Sequence, residues 1–192
     1  ILIINDSTEE PICSDIIKQE HPTLPVIAIC LSDLEYEASH RILELLQTSS
    51  YFRTTFTKFD QIISSIFNFN IYDILSDPQL SPLLQANNPY GTISALAIGY
   101  SIGQLLVQWG IHPHIWVGND QGDITANLLA GNISLVEASH LSWKRGTILQ
   151  ERCTNSALKN TIESDFIEYA THVATDFSSQ NISVYSTTNQ SS

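Results

Sequence analysis

Ile93 to Ile111 is a run of nineteen residues without a single Asp, Glu, Lys or Arg. By length alone it could cross a bilayer. Ser94, Ser101, Gln104 and Gln108 interrupt it, and no basic residue between Lys58 and Lys144 would orient it in a membrane. The spacing therefore predicts a core helix over Ile93–Trp109, stopped by Gly110, in a soluble protein. A helix apolar on every side must be covered on every side. A chain of 192 residues, 43% apolar and 15% charged, is large enough to supply that cover in one sizeable core, and its composition excludes a disordered chain.

The flanking segments indicate what covers it. Val26–Leu31 (VIAICL) reads as a strand buried on both faces. A helical pattern begins at Asp33 and passes through Ile42, Leu45 and Leu46. Tyr51–Phe67 places Phe52, Phe56, Phe59 and Ile63 at helical spacing, a stripe that reads as core packing. Ile71–Leu75 forms a short helix, and Asp77–Tyr90 is a Pro- and Asn-rich connection. His114–Val117 is a strand, Gly118–Gly122 a turn, and the next helix ends near Gly131. Ser134 and Glu137 form a capping-box pattern that opens a helix ending near Gln150. Ala157–Ala174 is a last amphipathic helix and Ile182–Tyr185 a closing strand. Strands alternating with helices give an α/β class with a mostly parallel sheet and helices on both faces. Residues 1–24 read as an N-terminal linker or strand segment and 25–192 as one α/β domain.

Charge and composition exclude several functions. Eight Lys and Arg against twenty Asp and Glu leave a net charge of −12, which argues against binding a nucleic-acid backbone. Cys13, Cys30 and Cys153 are odd in number and show no metal-type spacing, so buried or idle thiols are expected. The N-x-S sequons at Asn5, Asn132, Asn181 and Asn189 carry little information in an Asn- and Ser-rich chain. Ile1–Ile4 lacks the flank of a signal peptide, and a chain without Met reads as a processed product or an excised piece. His112 and His114 have no placed third ligand, so they read as solvated loop residues and no metal or other cofactor is expected.

Strand, Gly118-Asn119-Asp120-Gln121-Gly122, helix is the pattern of a nucleophile elbow. Glycines at both ends let the chain reverse sharply and stand the central side chain at the sheet's edge, beside a helix N-terminus. Around it, Trp109-Gly110-Ile111 with Pro113, Ala130-Gly131, Ser134-Leu135, Ala138 and Arg145-Gly146 keep a fixed frame. That frame resembles the acyltransferase domains of polyketide and fatty-acid synthases, the malonyl- or acyl-CoA to carrier-protein transacylases. In that family a W-G-I-x-P helix end precedes a G-H-S-x-G-E elbow, and an A-G-x-x-S-L-x-x-A helix ends in x-R-G. Tyr51-Phe52-Arg53 is similar to the family's F-R segment, and Phe166 with Ile182–Ser186 to its closing helix and strand.

The resemblance implies a hydrolase-like core in which the catalytic positions are degenerate. Asp120 stands where the family has its nucleophilic Ser, and Asn119 where the preceding His belongs. Asn155 stands at the family's His base, and Thr92 replaces the Gln of a T-Q-P segment. Ser32-Asp33-Leu34 follows the first strand in place of G-Q-G, which helps form the oxyanion hole. The small ferredoxin-like subdomain is expected to be absent, because four residues separate the helix ending near Gln150 from Asn155. Arg145, twenty-five residues after Asp120, matches the Arg that holds a substrate carboxylate in malonyl-type transferases. Arg145 and Gln121 are the substrate-binding candidates.

Acyl transfer needs an activated nucleophile and an oxyanion stabiliser. The expectation is an inactive, cytoplasmic acyltransferase-like domain associated with a polyketide synthase, acting as a structural or docking element for an acyl carrier protein or neighbouring synthase domains. One alternative is a hydrolase using Asp120 as elbow nucleophile, although neither His140 nor His172 sits where that chemistry needs a base. Another is a carrier-protein binding module using the basic cluster Lys144, Arg145, Arg152 and Lys159. Asp120 and Asp123 read as complements to the helix dipole, and Arg145 is expected to pair with one of them.

Overall fold

The computed structural model describes residues 26–32, 39–84, 87–154 and 183–186. The expected segment 1–24, the helix over Ala157–Ala174, Asn155, and Asp33 and Leu34 lie outside the described residues. In chain order the elements are β1 (Ala28–Leu31), α1 (Ser39–Thr48), α2 (Ser50–Phe67), α3 (Ile71–Ser76), a 3-10 turn (Ser81–Leu84), α4 (Pro89–Gln108), β2 (Ile115–Gly118), α5 (Gln121–Leu129), α6 (Leu135–Thr154) and β3 (Ser183–Ser186).

Among the described residues three strands form one parallel sheet in the order β1-β2-β3, with Ala28 opposite Ile115 and Ile115 opposite Ser183. Parallel pairing requires crossovers, and among the described residues the one between β1 and β2 runs through α1, α2, α3 and α4. Trp116, 2% exposed, packs with Ala126 of α5 and with Ala130 just past its end, and Ile29, Leu31 and Val107 close around it. The expectation that β1 is buried on both faces is not met. Among its residues Ala28 and Cys30 are exposed while Ile29 and Leu31 are half-buried. Side chains of a strand alternate between faces, and α5 covers the face bearing Ile29 and Leu31. Cys30 is accordingly an exposed free thiol.

The main core lies among the helices. Phe52, Phe56, Phe59 and Ile63 of α2 are at most 1% exposed and meet Ile93, Leu96 and Ala97 of α4. Burial of each such side chain contributes roughly 1.5–3 kcal/mol. The uncharged α4 packs against α2, α5 and α6, and that contact accounts for its composition. It begins four residues earlier than Ile93, at Pro89. The Asn-Pro pair is a helix start, not the end of a loop: Asn88 Oδ1 accepts the Gly91 N–H at 3.0 Å, and Pro89, which has no N–H to satisfy, occupies the first helical position. At its other end Ile111 N–H bonds to Leu106 O and Gly110 N–H to Val107 O, the double bond pattern that a residue with φ of 84° permits.

The capping box at the start of α6 is formed. Ser134 N–H donates to Glu137 Oε2 at 2.6 Å and Glu137 N–H to Ser134 Oγ at 3.2 Å. The hydrogen bonds from Ser134, side chain and then main chain, hold the Glu137 carboxyl below its ordinary pKa. With that start secured, α6 runs four residues past Gln150, to Thr154.

Candidate functional site

The elbow is built by the C-terminal end of the central strand. Asn119 N–H bonds to Leu31 O at 3.0 Å and carries the β1–β2 ladder one residue beyond β2. The chain then turns into α5 through Asp120, whose φ of 54° and ψ of −116° are costly for a residue with a side chain. Both flanking glycines are required by close approach. A Cβ on Gly122 would fall on the Leu31 carbonyl, and one on Gly118 on the main chain of Asp123. The turn therefore pins α5 against the ends of β1 and β2, and it lifts Asp120 to 46% side-chain exposure at the sheet's carboxyl edge.

Arg145 reaches this carboxylate from α6. Its Nη2 lies 3.4 Å from Asp120 Oδ1, and its side chain is only 16% exposed. The expected pairing within the site is thus present, with Asp120 as partner. Asp120 is the more open partner, a half-exposed acid, because the elbow holds it out of the fold.

Beneath the pair lies a polar network that joins three helices. Gln121 of α5, 1% exposed, donates from Nε2 to Ser142 Oγ of α6 at 2.6 Å. Thr92 of α4, also 1% exposed, donates to the Ser142 carbonyl at 2.8 Å. Gly146, one turn further along α6, leaves room for Pro89 and Thr92 to approach. Thr92 and Gln121, named from the sequence, are therefore brought together through Ser142, which was not named. The signal for it was its position three residues before Arg145 on one helix, which places the two on neighbouring parts of one face. Buried hydrogen bonds of this kind hold the helices in register. They also shut the hydroxyls of Thr92 and Ser142 away from any substrate, Ser142 being 0% exposed.

The other polar candidates have structural employment. His114 Nδ1 accepts the Ile27 N–H at 3.2 Å at the entry to the sheet. The His140 ring packs edge-on against Phe67 with centroids 5.5 Å apart. Among the described residues no group of three His, Cys, Asp or Glu side chains could hold a metal ion. Beside the network stand Phe67, Phe69, Tyr90 and Trp143, with Phe67 and Trp143 stacked at 4.6 Å. Asn155 lies outside the described residues, so its distance from the elbow is not part of this geometry.

No protein-family model matches the chain. Its sequence is 34% identical over 118 residues to a highly reducing polyketide synthase of Penicillium expansum, covering 60% of this chain and 5% of that protein. It is 26% identical over 181 residues to a probable polyketide synthase of Dictyostelium discoideum, covering 93% of this chain and 7% of that protein. The chain thus spans a small fraction of these relatives. Its structure is similar to the acyl transferase domain of ZmaA, with a TM-score of 0.62, 26% identity and coverage of 70% of this chain and 31% of that one. The malonyl CoA-acyl carrier protein transacylase of Coxiella burnetii shares the fold, with a TM-score of 0.55 and 20% identity over 66% of this chain and 38% of that one.

Proposed function

We propose that this acyltransferase-like chain, related to polyketide synthases, no longer transfers acyl groups and serves a synthase as a structural or carrier-protein docking element in the cytoplasm. Residues 25–192 are its acyltransferase-like domain in this reading. The observation that carries it is the Asp120–Arg145 pair. A protein carboxylate engages the guanidinium that, in the related transferases, the resemblance assigns to a substrate carboxylate. The residue at the elbow's apex is itself the substitution that supplies this carboxylate. A carboxylate there is a poor acyl acceptor, since the mixed anhydride it would form hydrolyses readily. The neighbouring hydroxyls of Thr92 and Ser142 are buried and hydrogen-bonded, so neither substitutes for the missing serine.

Incubation with malonyl-CoA or acetyl-CoA, followed by intact-mass measurement, tests the reading. The expected result is the unmodified mass and no acyl group on an added carrier protein. A stoichiometric acyl adduct overturns it.

The strained elbow also supports a second reading, a hydrolase with Asp120 as nucleophile, because strain of this kind persists where it presents a reactive side chain. Such a mechanism needs a histidine to activate water on the ester intermediate. Among the described residues His114 and His140 are committed elsewhere. A covalent adduct on Asp120 from an alkyl halide or epoxide probe would favour it over the first reading.

A further inference from the structure

A second concave site, sharing no residue with the elbow, opens between α1, α2 and α3. It is a cleft of about 640 Å³, within the size range of small-molecule pockets. Leu43 and Leu46 of α1 and Phe56 of α2 form an apolar wall, Asp60 of α2 and Asp73 of α3 also line it, and Arg53 stands on α2 as well.

The charges in this cleft are unequal in their availability. Arg53 keeps its charge but is anchored on the end of α1, with Nε donating to Leu46 O at 2.5 Å and Nη2 to Gln47 O at 2.6 Å, so that the two carboxylates outnumber it. Asp60, 9% exposed, is the one ionisable side chain among the buried described residues. Its Oδ1 accepts the Ile71 N–H at 2.5 Å, and no described Lys, Arg or His nitrogen stands within ion-pair distance of it. Burial raises its pKa, the Ile71 and Tyr72 N–H groups oppose that, and Asp73 raises it further. A carboxylate held in an apolar surround beside a second carboxylate favours a cation. Gln47, Thr57, Asn70 and Tyr72 complete the lining. A metal ion fits less well than an organic cation, since no group of three His, Cys, Asp or Glu side chains that could hold one stands among the described residues and Leu43, Leu46 and Phe56 offer it nothing.

We propose that this cleft binds a small protonated amine with an aliphatic body, its ammonium between Asp60 and Asp73 and its chain on Leu43, Leu46 and Phe56. Two attractions then act together: hydrocarbon removed from water against the leucines and the phenyl ring, and a charged hydrogen bond to a carboxylate that the fold has already partly desolvated. The inference is independent of the elbow and stands or falls separately from the proposed function.

The test is titration of the whole chain with hexylammonium, hexanoate and hexanol, followed by calorimetry or amide NMR shifts. Hexylammonium should bind with a dissociation constant near or below ~1 mM and shift the amides of Ile71 and Tyr72, while hexanoate should not bind. Asp73→Asn, at an exposed position where the amide oxygen can still accept the Asn70 side-chain hydrogen bond, should weaken hexylammonium by about fivefold, with unfolding measured alongside. Thr57→Trp at the exposed rim should block it. Equal binding of hexanol and hexylammonium, unchanged affinity in Asp73→Asn, or no response up to ~10 mM overturns the proposal.

Discussion

Gly122→Ala isolates the contact on which the elbow depends. The added Cβ would collide with the carbonyl of Leu31 and lie 2.9 Å from Ser32 N, where ordinary contact needs at least 3.4 Å. Both obstacles are main chain, so no rotamer change relieves them, and α5 must draw back from β1. Overpacking of this kind costs up to about 3 kcal/mol, or somewhat more against an unyielding neighbour. Alanine's better helix propensity returns up to ~1 kcal/mol. The net expectation is a loss of about 2–3 kcal/mol, or a fall in Tm of roughly 5–10 °C for a chain of this size. Urea unfolding measures it, with Gly110→Ala as the control. Gly110 has open space around its missing Cβ and a φ of 84°, so its substitution should cost only ~1–2 kcal/mol of backbone strain. If Gly122→Ala unfolds within ~0.5 kcal/mol of the parent, as an ordinary surface change would, α5 does not press on β1 and the elbow geometry is wrong.

Three further outcomes are expected. A double-mutant cycle of Asp120→Ala and Arg145→Ala should give a coupling below ~1 kcal/mol, because the acid is 46% exposed and the contact is a single 3.4 Å approach; a coupling above ~2 kcal/mol would mean a dehydrated pair. Asp60, whose folded-state pKa is raised, keeps its proton better when folded, so its contribution to stability falls as pH rises from the ordinary aspartate range through that raised value. Unfolding free energies measured across this window should show that slope in the parent and lose it in Asp60→Asn; an unchanged slope would assign it to other groups. Asp120→Ser combined with Asn155→His should not give synthase-level transfer to a carrier protein, since losing even one oxyanion donor costs ~10²–10³ in rate; robust turnover by the double mutant would show that the rest of the site is intact.

The reach of the sequence differs from element to element. Helical spacing of Phe52, Phe56, Phe59 and Ile63 placed α2 to within a residue, because a period set by backbone geometry is a local property. The Ser134–Glu137 cap and the Gly110 stop were legible for the same reason: each is satisfied by atoms a few residues away. The start of α4 was misplaced because Asn-Pro serves equally as a turn and as a cap, and only the Asn88–Gly91 bond decides between them. β1 was misjudged because its composition reports hydrophobicity but not which face finds a neighbour.

At the site, the sequence alone establishes that position 120 carries a carboxylate and not a serine hydroxyl, whatever the fold. The frame of glycines around it also dictated a sharp turn, because only residues without a side chain tolerate such close backbone contact. Tertiary structure alone decided the rest. It brought Arg145 within 3.4 Å of Asp120 across twenty-five residues, and it tied Thr92 to Gln121 through Ser142. It also left Asp120 half-exposed while burying the hydroxyls beneath it. Distances between residues far apart in the chain depend on how helices pack, and packing follows from the sum of many weak contacts rather than from any motif.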